Sequence, residues 1–154
     1  YRDSEEYKNF IFNILNTYEK HYQSWIGSIN YMNNDQSVEF DHATLWVNRM
    51  NKGEFNPAHI HSSIYSYVIW VKIPYDMVDE NNVFPDSKDN ACGCFDFLYN
   101  SNTGVGNYRI YADRNYEWEM VFFPSNLTHT VYPFFTSDEQ RISIAGNIKS
   151  TGNK

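Results

Sequence analysis

Three histidines carry the spacing of a metal site. His59 and His61 stand two residues apart in Asn-Pro-Ala-His-Ile-His, 56–61. In extended backbone that spacing sends both imidazoles out of the same side of the strand. His129 follows 70 residues later in Phe-Phe-Pro-Ser-Asn-Leu-Thr-His-Thr-Val-Tyr-Pro. Neutral imidazole nitrogens meeting at one ion would make a mononuclear metal centre. The other two histidines lie elsewhere, His21 in a helical pattern and His42 at a strand edge. Two solvated loop histidines and one core histidine form the plain alternative.

A second chemistry sits near the end of the chain. Alternation over 141–148 places Ile142, Ile144 and Ile148 on one face, and Arg141, Ser143, Ala145 and Asn147 on the other. The apolar face belongs in a core. The opposite face offers a guanidinium and a hydroxyl, with small Ala145 leaving space between neighbours. That set suits a clamp on a carboxylate, each charge-assisted hydrogen bond contributing about 1.5–3 kcal/mol. The residues therefore read as a metal site with an arginine beside it to hold an acidic co-substrate. An exposed strand with a solvated arginine is the alternative.

These residues need a scaffold, and the periodicity supplies one. Over 3–26 the residues Tyr7, Phe10, Ile11, Ile14, Leu15, Tyr18, Tyr22 and Trp25 recur at helical spacing as one apolar stripe. Asp3 with Glu6 caps the start and Gly27 supplies the stop. A helix with one apolar face must pack on something, and the back of a sheet is the expected site. From there the period changes to two. Strands are expected at 38–40, 43–50, 64–73, 94–99, 108–111, 116–123, 128–132 and 139–148, separated by turn signals. In the second strand Leu45 and Val47 point one way, Trp46 and Asn48 the other. Residues 74–90 are acidic, show no period, and read as a solvated surface excursion that covers the site as a lid.

The fold class that follows is mainly β with an N-terminal α-helix, a double-stranded β-helix or jelly roll. Residues 1–154 form a single domain, with 1–27 the packing helix and 38–148 the jelly-roll core. Aromatic residues make up 18% of the chain, which fits half-buried pleated surfaces.

Charge and composition narrow the function. The net charge is −7 with no cluster of Lys and Arg, which argues against a nucleic-acid partner. No apolar run approaches the roughly 20 residues that span a bilayer, so no membrane association is expected. Cys92 and Cys94, two apart, read as free thiols on a loop rather than a metal or redox pair. A reducing cytoplasm is the expected compartment. The expected partner is an unidentified protein or small-molecule substrate, and the aromatic-rich chain has the means to form a homodimer.

Taken in order, Trp46-Val47-Asn48, Gly53, Pro57, His59-Ile60-His61, Phe123-Pro124-Ser125, His129, Val131, Pro133, Arg141-Ile142-Ser143 and Gly146-Asn147 resemble the pattern of 2-oxoglutarate and Fe(II)-dependent oxygenases from phages and bacteria, related to the prolyl-hydroxylase-like branch. The resemblance covers most of the chain after the helix. It implies Fe(II), 2-oxoglutarate and O2, with hydroxylation of a C–H bond in a peptidyl or small-molecule substrate. By position it implies His59 as first metal ligand and His129 as the distal one. Arg141 would bind the C5 carboxylate of 2-oxoglutarate with Ser143 assisting, and Asn48 is a further co-substrate candidate. The family's common triad has Asp or Glu two residues after the first histidine, and here His61 stands there. Either His61 is the third ligand, or a carboxylate such as Asp96 serves, or one position is open; the reading takes His61. Tyr65, Tyr67 and Trp70 are candidates to line the pocket, but simple core is the commoner role for such aromatics, and they stay outside the site. A three-histidine cupin-type metalloenzyme without 2-oxoglutarate is one alternative, distinguished by an exposed Arg141. A non-enzymatic jelly-roll binding module is the other, distinguished by histidines that point apart.

Overall fold

The computed structural model describes residues 4–22 and 40–150. It holds one long helix, α1 (Glu5–Tyr22), and eight strands: β1 (Phe40–Met50), β2 (Asn56–His59), β3 (Tyr65–Lys72), β4 (Phe95–Ser101), β5 (Gly104–Ile110), β6 (Met120–Pro124), β7 (Thr128–Val131) and β8 (Arg141–Ser150). A short second helix, α2 (Met77–Asn81), interrupts the connection between β3 and β4. The strands form two four-stranded antiparallel sheets of order β1-β8-β3-β6 and β2-β7-β4-β5. This is the expected jelly roll.

Alternation along the strands of the first sheet separates two chemistries. Ile148 of β8 and Tyr65 and Tyr67 of β3 turn outward, where they cluster with Ile11 and Leu15 of α1. Glu5 and Glu6 in the first turn and Lys20 and His21 in the last turn of α1 complement the helix dipole. The expected sheet-backing role of the helix is what the packing shows. Its expected ends, with the Asp3 cap, the Gly27 stop and Trp25, lie outside the described residues, as do 38 and 39. Facing inward, Trp70 of β3, Phe95 and Phe97 of β4 and Phe123 of β6 join a second cluster between the sheets.

Several boundaries differ from the sequence reading. The strands expected at 38–40 and 43–50 are one strand over the described residues, with a register shift between His42 and Thr44. Residues 100–107, between the strands expected at 94–99 and 108–111, form the tip of a hairpin: β5 begins at Gly104, and Ser101 Oγ donates to the Gly104 carbonyl at 2.8 Å. Gly106, which reads as a loop residue, lies opposite Tyr99 and is covered by its ring. Residues 74–90 are no lid, although most of 78–89 is exposed, as the solvated-surface reading expects. Tyr75, Met77 and Glu80 are buried there, and none of the segment borders the cavity described below. The Glu80 carboxylate accepts hydrogen bonds from the Phe135 and Thr136 amides and the Thr136 hydroxyl, so it fixes the turn that leads into β8.

Candidate functional site

The three histidines meet. His59 ends β2 and His129 lies directly opposite it on β7. His61 follows just beyond β2, where its amide donates to the Ser125 carbonyl at 2.9 Å. Ligand nitrogens of the three residues lie within 4.8 Å of one another. Three nitrogens each about 2.1 Å from one ion and on one side of it stand about 3 Å apart, so the rings close further when they grip it. The pairing of β2 with β7 shifts register between Asn56 and His59, so that His59 comes opposite His129. Histidines that point apart, the mark of a binding module, are excluded.

Backbone carbonyls set the tautomers. His59 Nδ1 is 2.7 Å from the Pro57 carbonyl, and His129 Nδ1 is 3.0 Å from the Leu127 carbonyl. A carbonyl only accepts, so in each ring Nδ1 carries the proton and Nε2 keeps its lone pair. Both contacts run to the carbonyl two positions back. Burial, opposed by the Leu127 hydrogen bond and reinforced by the neighbouring imidazoles, holds His129 down at about 4. Burial and then His59 lower His61 as well. Neutral rings at neutral pH are the form that binds a metal. His129 is further held by Phe95, stacked at 5.6 Å and 14°.

A cavity of about 300 Å³ opens between the sheets, and all three histidines line it. Its opposite wall is built by three register pairs of β1 and β8: Trp46 with Ala145, Asn48 with Ser143, and Met50 with Arg141. The small Ala145 side chain leaves the room that the Trp46 indole fills. Trp46 Nε1 donates to Asn48 Oδ1 at 3.1 Å, and Asn48 Nδ2 lies 3.5 Å from Ser143 Oγ. Trp70 and Tyr67 border the cavity, but the Tyr67 hydroxyl turns away to His42 and Tyr7. Tyr65 does not border it; strict alternation sends it beneath α1, where it packs on Tyr18 and Phe122.

Arg141 is buried, 4% exposed. Its guanidinium donates to the Tyr75 hydroxyl at 2.8 Å, the Tyr132 carbonyl at 3.0 Å, the Gly93 carbonyl at 3.2 Å and the Met50 sulfur at 3.2 Å. The rings of Tyr75 and Phe134 flank it. Among the described residues every one of these partners is neutral. A buried cation held rigidly by neutral groups gains most from an incoming anion. The exposed, solvated arginine is excluded, and with it the feature that would favour a cupin without an acidic co-substrate.

The other candidates are placed elsewhere. Asp96, 1% exposed, points away from the histidines and takes Arg109 Nε and Nη2 and Asn107 Nδ2 at 2.8–2.9 Å. It cannot complete the metal site. Cys92 and Cys94 are free and buried, and burial pushes the Cys94 thiol up to about 12, which leaves it protonated. Sequence reasoning missed Trp46 and Met50 as wall residues, although alternation with Asn48 already placed them on its side.

Residues 44–147 match the family described as "Putative 2OG-Fe(II) oxygenase". A search of curated proteins returns no match. Among solved structures the chain is similar to an oxidoreductase of the 2OG-Fe(II) oxygenase family from Burkholderia pseudomallei, with 16% identity over 74% of this chain and 47% of that one, TM-score 0.49. It is also similar to the capsular polysaccharide assembling protein CapF from Staphylococcus aureus, with 12% identity over 75% of this chain and 27% of that one, TM-score 0.42. A cupin domain from Bordetella pertussis aligns with 16% identity over 73% of this chain and 90% of that one, TM-score 0.35. The chain spans less than half the length of the first two.

Proposed function

The chain belongs to the 2OG-Fe(II) oxygenase family, and from that premise we propose that it is a non-haem Fe(II)- and 2-oxoglutarate-dependent dioxygenase that hydroxylates a C–H bond of a peptidyl or small-molecule substrate. The observation that carries the proposal is one cavity lined on one side by three converging imidazoles and on the other by a buried arginine with only neutral partners. His59, His61 and His129 are assigned as the metal ligands, with His61 taking the place of the usual carboxylate. Imidazole donors suit Fe(II), and three ligands on one side leave open positions for co-substrate and O2.

Bound Fe(II) supplies the oxidative decarboxylation of 2-oxoglutarate to succinate and CO2, coupled to insertion of oxygen into the C–H bond. The chain does the rest. Arg141 receives the far carboxylate of 2-oxoglutarate, and Ser143 and Asn48, paired across β8 and β1, flank it along the same wall. The carbonyls of Pro57 and Leu127 keep the His59 and His129 rings turned so that Nε2 is available. Phe95, Phe123 and Trp70 keep water from the deep end of the cavity. With three neutral ligands the metal keeps its full charge, so the dianionic co-substrate provides the compensation a protein carboxylate otherwise gives.

Two free buried thiols favour a reducing compartment, the cytoplasm or a host's cytoplasm. Among the described residues no helix is long and apolar enough to cross a membrane. The charge of −7 disfavours nucleic acid, and a single catalytic domain with a homodimer as an open arrangement completes the proposal. The test is anaerobic: add Fe(II), then titrate 2-oxoglutarate and follow the visible charge-transfer band of a metal-bound keto acid. A saturable band and succinate formation under O2 are expected. No band and no succinate would remove the proposal.

A further inference from the structure

His61 is the metal ligand whose ring is held least directly. The Nδ1 atoms of His59 and His129 are tied to backbone carbonyls. Among the described residues no hydrogen bond reaches the His61 imidazole, which has only ring contacts with Trp46, His59 and His129. Nor does His61 stand in a strand; it lies in the irregular connection 60–64 between β2 and β3. Its aim at the ion must therefore come from its main chain. One residue fastens that connection at both ends. The His61 amide donates to the Ser125 carbonyl, and the Ser125 amide donates to the Ile64 carbonyl, both at 2.9 Å. The place of Ser125 sets the place of the His61 backbone.

Ser125 is itself anchored through its side chain. It is fully buried, and its hydroxyl lies 2.7 Å from Ser66 Oγ on the inner face of β3. Ser66 is buried too and lines the cavity. Neighbouring groups fix the direction of this bond. Asn147 Nδ2 donates to Thr44 Oγ1 at 2.9 Å, which turns Asn147 Oδ1 toward Ser66 Oγ at 2.7 Å. An amide oxygen only accepts, so the single hydroxyl hydrogen of Ser66 is committed to Asn147, and Ser125 is the donor to Ser66. Thr44, Asn147 and Ser66 are register neighbours across β1, β8 and β3. The chain of bonds thus crosses the sheet and ends on the turn after β6. The next row, Trp46, Ala145, Val68 and Val121, holds no hydroxyl or amide side chain. A satisfied polar chain gains little stability over aliphatic packing, and what it adds is one fixed geometry.

We infer that the Ser66–Ser125 hydroxyl pair is the positioning element for the third metal ligand: it pins the turn after β6 to β3 and, through the Ser125 main chain, sets His61 against the ion. The same turn leads on to His129, but that residue is paired in the ladders to β2 and β4 and keeps its place without the hydroxyls. His61 has no ladder to fall back on. In this role the two serines act through His61 and not on the metal or the co-substrate.

The inference rests on the metal assignment of the oxygenase reading and can fail while that reading stands. Co(II) in place of Fe(II) gives a redox-quiet titrant for calorimetry. Its uptake by the unaltered protein is measured first, and no binding at that stage removes the oxygenase reading together with the inference. Ser125→Ala takes away the donor and leaves the Ser66–Asn147 bond, while Ser66→Ala breaks the same contact from the other side. Each should weaken Co(II) binding by about tenfold, the lower end of the roughly 10–100-fold cost of a missing outer-shell partner. Because one bond is lost in every case, the double variant should bind within about twofold of the weaker single one. In a His61→Ala background either serine change should cost less than about twofold. A folded serine variant that binds Co(II) within about twofold of the unaltered protein overturns the inference. An equal loss in both backgrounds does the same, since the hydroxyls would then act on the fold or on the other two ligands. If neither serine variant folds, the pair holds the sheet and not the ligand, and the inference is equally lost.

Discussion

His59 and His129 are register partners across β2 and β7, with ring centroids 4.2 Å apart, while His61 reaches the same point from beyond the strand. Two ligands are therefore anchored in a ladder and the third by a single backbone hydrogen bond. His59→Ala or His129→Ala should abolish stoichiometric metal binding, measured by calorimetry with Mn(II) or Co(II). The loss should exceed the roughly 10–100-fold that a missing outer-shell partner costs. His61→Ala should weaken binding at least tenfold, and His61→Asp should restore it, because a carboxylate two residues after the first histidine completes the same face.

Arg141 makes the co-substrate prediction. Arg141→Lys keeps the charge but removes the planar fork, and Arg141→Met removes both. The affinity for 2-oxoglutarate should fall by about 10-fold in the first and by 100-fold or more in the second, as expected for one and two charge-assisted bonds of about 1.5–3 kcal/mol. Metal affinity without 2-oxoglutarate should change by less than about threefold. Equal losses in both titrations would show that Arg141 acts on the fold and not on the co-substrate.

Glu80 gives a stability test away from the site. Its carboxylate satisfies two backbone amides and a hydroxyl of 135–136 while fully buried. Glu80→Ala leaves those donors without a partner and should cost about 3 kcal/mol or more, read as a lower urea midpoint at unchanged slope. Glu80→Gln should cost less, since its carbonyl oxygen still accepts.

Gly146 tests how tightly β3 and β8 approach. A Cβ built there would overlap the Tyr67 ring and hydroxyl, and Tyr67 is tied to His42 at 2.7 Å and to Tyr7 of α1. The ring cannot swing aside without breaking that chain. Gly146→Ala should destabilise by about 2–3 kcal/mol, visible as a lower thermal midpoint, and adding Tyr67→Phe should recover part of that loss, because it removes the hydroxyl nearest the new Cβ and frees the ring to shift.

The thiols make the pH prediction. With Cys94 held up at about 12 by burial, its reactive thiolate is scarce below that pH. In the folded protein at pH 8 neither buried cysteine should react with a thiol reagent on the timescale in which the unfolded chain titrates two.

Much of this was legible in the chain, and the physical reasons for the misses are specific. The two-residue spacing of His59 and His61 and the alternation of β8 are local, so sequence carries them directly. Alternation in β3 separates Tyr65, which takes the core role also open to it, from Trp70, which borders the cavity. Glu80 could not be recognised, because its partners at 135–136 are brought to it only by the tertiary fold. Gly104 and Gly106 signal a loop by composition; in the structure Gly104 sits at the hairpin tip opposite Ser101 and Gly106 lies under the Tyr99 ring. The burial of Arg141 depends on Tyr75, Tyr132 and Gly93, three positions that no spacing rule connects.

The outward placement of Ile148, Tyr65 and Tyr67 against α1 has a consequence for how this protein can change. Cohesion of the first sheet is supplied from behind, by Ile11 and Leu15, while chemistry is written on its front. Replacing wall residues such as Trp46 or Ser143 can retarget the reaction and leave the scaffold standing. Damage to the helix would do the reverse, abolishing the proposed activity without altering one group assigned to metal or co-substrate.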